Sequence, residues 1–313
     1  MAKHPFIRAT EIWVPTQDRR HLDLEAGLYG DMRFFQSISR GMRFEHGAGL
    51  PGKTWATGRP MVLKDLKSSY FRRGDAAMDE GLSCAVSLPI FVAGDLTAVM
   101  VFLCGDDKYH AGAVELWSPE HPGAPLSLVA GYFGSARQFE ATARSSSFPR
   151  GVGLPGKAWE SGMPIIMENI GPDSFFLRHE TAGEVGINRA VGLPCSVGDG
   201  SDYVLTFLSA LNTPIARRFE CWLPDEAGES FTFHSGYCET AGSLAAFYAD
   251  TRLPLYTGAF GTARARGVPV IAADLSRESG AVADSANLAG LTSMVATPVY
   301  SGGAFQAILA WFL

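Results

Sequence analysis

The first third of the chain alternates short apolar runs with polar, glycine-bearing breaks, a pattern that predicts small strands and smaller helices. Glu11-Ile12-Trp13-Val14-Pro15 and the apolar stretch from Leu24 to Tyr29 read as two strands, and Asp31 to Ser39 mixes polar and apolar positions as a helix does. A glycine-rich turn and a short helix follow, then a strand at Met61-Val62-Leu63 and a helix over Phe71 to Glu80. Two strands, Cys84 to Phe91 and Ala98 to Leu103, close the segment around Ala93-Gly94-Asp95. The corresponding turns further on, Gly198-Asp199-Gly200 and Ser301-Gly302-Gly303, are rich in residues that tolerate positive φ, as a tight hairpin requires.

The pattern recurs twice. Glu11-x-Trp13-x-Pro15 returns as Glu115-x-Trp117-x-Pro119 and as Glu220-x-Trp222-x-Pro224, at spacings of 104 and 105 residues. Gly27, Gly131 and Gly236 keep the same offset, as do the pairs Gly58/Pro60, Gly162/Pro164 and Gly267/Pro269. Gly49-Leu50-Pro51-Gly52-Lys53 matches Gly153-Leu154-Pro155-Gly156-Lys157, and more weakly Gly258-Ala259-Phe260-Gly261-Thr262. Anchors in one order at nearly one period mark an internal repeat. The units are expected at residues 9–107, 113–212 and 218–313, each an α+β unit with an antiparallel sheet and short helices.

Gly47-x-Gly49-x-x-Gly52 and Gly151-x-Gly153-x-x-Gly156 also read as G-x-G-x-x-G, with Asp65 near the distance of a ribose-binding acid. A dinucleotide site needs a full helix after the glycines. Here Gly58 and Pro60 stop the helix after about two turns, and unit 2 has Asn169 in place of Asp65. The expectation is a short helix that turns the chain into the Met61 strand.

The run Gly47-x-Gly49-Leu50-Pro51-Gly52-Lys53-x-Trp55-x-x-Gly58-x-Pro60, followed by Val62-Leu63-x-Asp65-Leu66, Phe71-x-Arg73, Gly81-Leu82 and Leu88-Pro89-Ile90, resembles the GAF domain of bacterial sensor proteins. Unit 2 repeats it with Phe176-Leu177-Arg178, Gly186-Ile187 and Leu193-Pro194; unit 3 keeps Asp274-Leu275 and Gly290-Leu291 but has no matching Phe-x-Arg. The resemblance implies a pocket between the sheet and the segments carrying Trp55 and Phe71. It also implies small-molecule binding or dimerisation, without naming a ligand or cofactor. Units 1 and 2 are expected to keep the pocket and unit 3 to be a degenerate scaffold. The family's flanking helices find no room, since only eleven residues separate Leu103 from Glu115 and Leu208 from Glu220. Bare sheet faces would expose too much apolar area, so the units are expected to pack sheet to sheet or the chain to self-associate.

Trp55 and Trp159 stand at one repeat position and Phe71 and Phe176 at another. Each suits either the wall of a flat-ligand pocket or the core, where large aromatics mostly serve. Arg73 and Arg178 suit a clamp on a carboxylate or phosphate, or a solvated surface. Cys84 has Arg189 and Ser293 as its counterparts, so its thiol is not part of the repeat. Cys84 and Cys104 raise a second reading, a thiol-dependent enzyme of the free methionine sulfoxide reductase type, but both fall in apolar strands, whereas reactive thiols need cationic, exposed settings. His4, His21, His46, His110, His121, His179 and His234 show no metal or triad spacing, and no catalytic residue or metal ligand is assigned.

Composition narrows the partners. Of 313 residues, 26 are Lys or Arg and 32 Asp or Glu, and the net charge of −6 argues against nucleic-acid or membrane partners. Five cysteines without a C-x-x-C pair, no long apolar run and no signal-like start imply a reduced, cytoplasmic protein. No output domain is read, so a signal is expected to pass from a small-molecule ligand to a signalling partner or through self-association.

Overall fold

The computed structural model describes residues 5–105, 112–197, 200–210 and 213–313, without the side chains of Ser196 and Ala210. His4, His110, the unit boundaries expected at residues 107 and 212, and the turn residues Gly198 and Asp199 lie outside the described residues. Among the described residues no helix is long and apolar enough to cross a membrane.

Unit 1 consists of β1 (Ile7–Pro15), β2 (His21–Leu28), α1 (Arg33–Arg40), β3 (Arg43–Glu45), α2 (Gly49–Thr57), β4 (Met61–Leu63), α3 (Gly74–Asp79), β5 (Leu82–Val92) and β6 (Asp95–Gly105). Its strands form a six-stranded sheet in the order β3-β2-β1-β6-β5-β4, antiparallel at every pairing. The β5–β6 turn places Ala93 at φ 51° and Gly94 at φ 87°, the two positive φ values that match a hairpin's right-handed twist. The helix expected over Phe71 to Glu80 begins only at Gly74. The backbone of Phe71 to Arg73 instead turns both side chains into the core, where Phe71 is 5% and Arg73 3% exposed.

Unit 2 repeats this with β7 (Gly112–Pro119), β8 (Leu126–Tyr132), α4 (Arg137–Ser145), β9 (Ser147–Phe148), α5 (Gly153–Ser161), β10 (Ile165–Met167), α6 (His179–Glu184), β11 (Ile187–Ser196) and β12 (Asp202–Ala210). The strand order is the same, β9-β8-β7-β12-β11-β10. Unit 3 contains β13 (Arg218–Pro224), β14 (Ser230–Cys238), β15 (Gly242–Ser243), β16 (Arg252–Pro254), α7 (Gly258–Arg266), β17 (Val270–Ala272), a 3-10 turn at Leu275–Arg277, α8 (Ala281–Leu288), β18 (Met294–Ser301) and β19 (Ala304–Phe312). It keeps the order β15-β14-β13-β19-β18-β17, with β16 also paired to β14. It has no helix where units 1 and 2 carry α1 and α4.

The glycines of the G-x-G-x-x-G runs answer to backbone geometry. Gly47 and Gly49 sit at φ 82° and 62°, and a Cβ on Gly52 would stand 2.2 Å from the Glu45 carbonyl oxygen. Gly58 closes α2 in the left-handed conformation, its N–H bonded to Thr54 O.

The three sheets pack on one another. Along β6, Val99, Val101 and Leu103 face a core that unit 1 forms with its own helices. The alternate residues Ala98, Met100, Phe102 and Cys104 face a core shared by all three units. A strand buried on both faces reads as continuously apolar, as Leu96 to Cys104 nearly does. Phe102, Phe207 and Trp311, which occupy one repeat position, meet at the centre: the Phe102 ring lies 5.3 Å from Phe207 and 5.2 Å from Trp311. The contacts run head to tail around this axis, β4 on β7 and β8, β10 on β14, and β17 on β2. The ring is therefore closed, as a cyclic trimer would be. Hydrogen bonds from Thr97 Oγ1 to Gly267 O (2.6 Å) and from Arg189 Nη2 to Tyr237 Oη (2.7 Å) cross two of the seams.

Candidate functional site

The glutamate of each E-x-W segment is fully buried, and a guanidinium meets it in every unit. Arg73 donates from Nη1 to Glu11 Oε1 and from Nη2 to Glu11 Oε2 (2.9 Å). Trp13 Nε1 (3.0 Å) and Tyr29 Oη (2.9 Å) donate to the same carboxylate. Arg178 makes the same two-pronged contact with Glu115 at 2.6 and 2.7 Å, and Trp117 and Thr206 complete the set. Phe71 and Phe176 stack on these guanidinium groups with centroids 5.0 and 5.2 Å away. Phe71, Arg73, Phe176 and Arg178 are thus interior side chains that fill the space between sheet and helices.

Burial alone would raise the Glu11 carboxyl. The charge of Arg73 and hydrogen bonds from Arg73, Ser39 and Trp13 outweigh it and hold Glu11 below the ordinary carboxylate range. A depressed folded-state pKa gives stability that is fully present above the unfolded value and is lost as pH falls through the folded one. Thermal melts should therefore show the wild-type midpoint falling below about pH 5, with Glu11→Gln less stable at pH 7 and less steeply dependent on acid. Parallel slopes for the two proteins would refute the assignment.

Unit 3 builds the same pair from another part of the chain. Asp65-Leu66 and Gly81 lie 209 residues before Asp274-Leu275 and Gly290, so Phe71 corresponds to Gly280 and Arg73 to Val282. The guanidinium comes instead from Arg218 on β13, where units 1 and 2 have Ala9 and Ala113. Arg218 Nε donates to Glu220 Oε1 at 2.6 Å, and Arg218 also bonds Tyr248 Oη and Ser285 Oγ (2.9 Å). This guanidinium comes from the strand, Tyr248 and Ser285 meet it on the helix side, and Val282 stands at the position of Arg73. At the same offset Phe44 becomes Leu253 and Leu50 becomes Ala259. A cavity of about 410 Å³ opens there, lined by Leu253, Ala259, Phe260, Gly280, Val282 and Met294 among others. Unit 3 lacks the Phe-x-Arg of units 1 and 2, and Gly280 and Val282 at those positions line the cavity. Comparing volumes at matched repeat positions would have found it.

The remaining sequence candidates fall elsewhere. Trp55 is partly buried, its ring edge-on to His46 at 5.0 Å. Trp159, also partly buried, donates from Nε1 to Asp202 Oδ2 at 2.7 Å. Cys84 and Cys104 are paired in register across β5 and β6, and both face the central core. Burial pushes the Cys195 and Cys221 thiols up to about 12. Arg189 lies over the Tyr237 ring at 4.4 Å, where unit 2 meets unit 3. Among the described residues no group of three His, Cys, Asp or Glu side chains is placed to hold a metal ion.

A family model for the GAF domain matches residues 11–119. No curated protein matches the chain. Among solved structures the chain is similar to a GAF domain of Nlh2 from A. aeolicus (21% identity, TM-score 0.26, 32% of this chain and 59% of that one). It is also similar to a free methionine-R-sulfoxide reductase from Neisseria meningitidis in complex with its substrate (15%, 0.25, 31% and 52%). A third is the GAF domain of a phosphoenolpyruvate-protein phosphotransferase from Coxiella burnetii (17%, 0.27, 32% and 58%). The chain spans between half and three-fifths of the length of these three structures. Residues 11–119 thus match the GAF domain, and the shared strand order of the three sheets makes the chain a tandem of three GAF-like units, the third degenerate.

Proposed function

We propose that this chain is a cytoplasmic, non-catalytic sensory or regulatory protein that binds a small molecule in unit 3 and acts through a protein partner or through self-association. The observation that carries this reading is the open cavity between α7, α8 and the sheet of unit 3, at the place that Phe-x-Arg fills in units 1 and 2. Concave, mostly apolar cavities of this size are the usual form of small-molecule sites. In this reading Trp55, Phe71, Arg73, Trp159, Phe176 and Arg178 serve packing, and Arg189 holds units 2 and 3 together. A route outward is built in: α8 borders the cavity through Val282 and Ala283 and hydrogen-bonds Arg218 through Ser285. A ligand that moves α8 acts directly on the buried ion pair between α8 and the sheet. The full burial of Cys84 and Cys104 favours binding over thiol chemistry, because a nucleophilic thiolate needs access and a stabilising cation.

Native mass spectrometry of the purified chain tests both parts, since it reports bound mass and oligomer together. A small-molecule adduct is expected on the wild type and not on Ala259→Leu/Leu253→Phe, which restores the side chains of units 1 and 2. An adduct that persists in that variant would remove the site from unit 3. Methionine sulfoxide turnover by the wild type that Cys84→Ser abolishes would sink the non-catalytic reading.

A further inference from the structure

We infer that the ligand of unit 3 is a neutral aromatic compound carrying a hydrogen-bond acceptor, seated where units 1 and 2 hold a phenylalanine ring; the inference rests on the binding reading above. Shape is the first argument. The cavity is the negative of side chains that the other units show in place: Gly280 stands for Phe71 and Phe176, and Ala259 for Leu50 and Leu154. The walls that remain include the Phe260 ring and the Met294 thioether, both of which make favourable contacts with aromatic rings.

Charge is the second. In units 1 and 2 the Phe-x-Arg segment brings a cation to the buried glutamate. In unit 3 that glutamate, Glu220, is already engaged by Arg218, Tyr248 and Trp222, so a cationic ligand would lose its hydration without gaining a counter-ion. Among the described residues no lysine, arginine or histidine lines the cavity to neutralise an anion, and the one ionisable side chain in the lining, Glu278, is exposed and repels one.

Hydrogen bonding is the third. The first-turn N–H groups of a helix have no intrahelical acceptor. The residue before α7, Thr257, makes no capping bond, and the residue before α8, Gly280, has no side chain to cap with. Both helix starts line the cavity. They offer donors backed only by the partial positive charge of the helix dipoles, with no full cation, which suits a carbonyl or ether oxygen on an otherwise apolar body.

The test follows the Met294 methyl signal in the full chain while coumarin, 1-naphthoate and 1-naphthylmethylammonium are titrated in turn. These probes are of similar size and differ in charge. Coumarin is expected to shift the Met294 methyl saturably and to bind about tenfold or more tightly than either charged probe. Ala259→Leu/Leu253→Phe is expected to weaken coumarin by about tenfold or more, and Glu278→Gln to change it by less than about twofold. If the double variant fails to fold, Ala259→Leu alone carries the same comparison. Equal or tighter binding of a charged probe at Met294 overturns the ligand class and leaves the cavity as the site. Failure of all three probes to move the Met294 methyl overturns the binding reading itself, as does coumarin binding that the filled variant leaves unchanged.

Discussion

Arg73→Met should cost about 3–5 kcal/mol of stability, the usual penalty for leaving a fully buried carboxylate without its partner. Glu11 is 0% exposed, and the lost guanidinium also supplied the donor to Ser39 Oγ. Denaturant melts of Arg73→Met, Glu11→Gln and the double variant close a cycle that isolates the pair. The double variant should be more stable than the sum of the single losses implies, because its remaining group is no longer charged. Arg218→Met should also destabilise unit 3, but by less, because burial already holds the Glu220 carboxyl above its ordinary range and lets it take up a proton. A loss there within the range of a surface substitution, about ±0.5 kcal/mol, would show that Arg218 does not substitute for Arg73.

Phe102→Ala should be as costly, about 3–5 kcal/mol, because a large ring is removed from a site with no room to collapse. The more informative expectation concerns cooperativity. Phe102 packs on Phe207 and Trp311, so the void opens against all three sheets at once. Far-UV circular dichroism and tryptophan fluorescence should therefore shift together in one transition. Separate transitions, with only unit 1 affected, would mean that the central core does not join the units into one cooperative body.

Much of the fold was legible in the sequence. Strands such as Met61–Leu63 and the hairpin turns at Ala93-Gly94 and Gly302-Gly303 rest on local chemistry, alternation and positive φ, and the structure has them where the pattern put them. The short helix after the glycines likewise follows from Gly58 and Pro60. The pairing of Glu11 with Arg73 was not legible, since the two are 62 residues apart and an isolated Phe-x-Arg motif carries no sign of its partner. The helix expected from Phe71 begins three residues late because tertiary packing draws Phe71 and Arg73 inward and overrides local helix propensity.

What the sequence determined by itself was the unit: its strands, its turns, its threefold recurrence, and linkers too short for flanking helices. These follow from interactions within a few residues, or from anchors that repeat. Tertiary structure decided how the units meet and where the cavity of unit 3 opens. The inner faces of the sheets are apolar in every unit, and apolarity is not directional, so only the closed ring of contacts fixes β4 on β7 and β8, β10 on β14, and β17 on β2. In unit 3 the buried glutamate is met by Arg218 from the strand, while Gly280 and Val282, at the positions of Phe71 and Arg73, line the cavity. That exchange is visible only when side chains distant in sequence are brought to the same carboxylate.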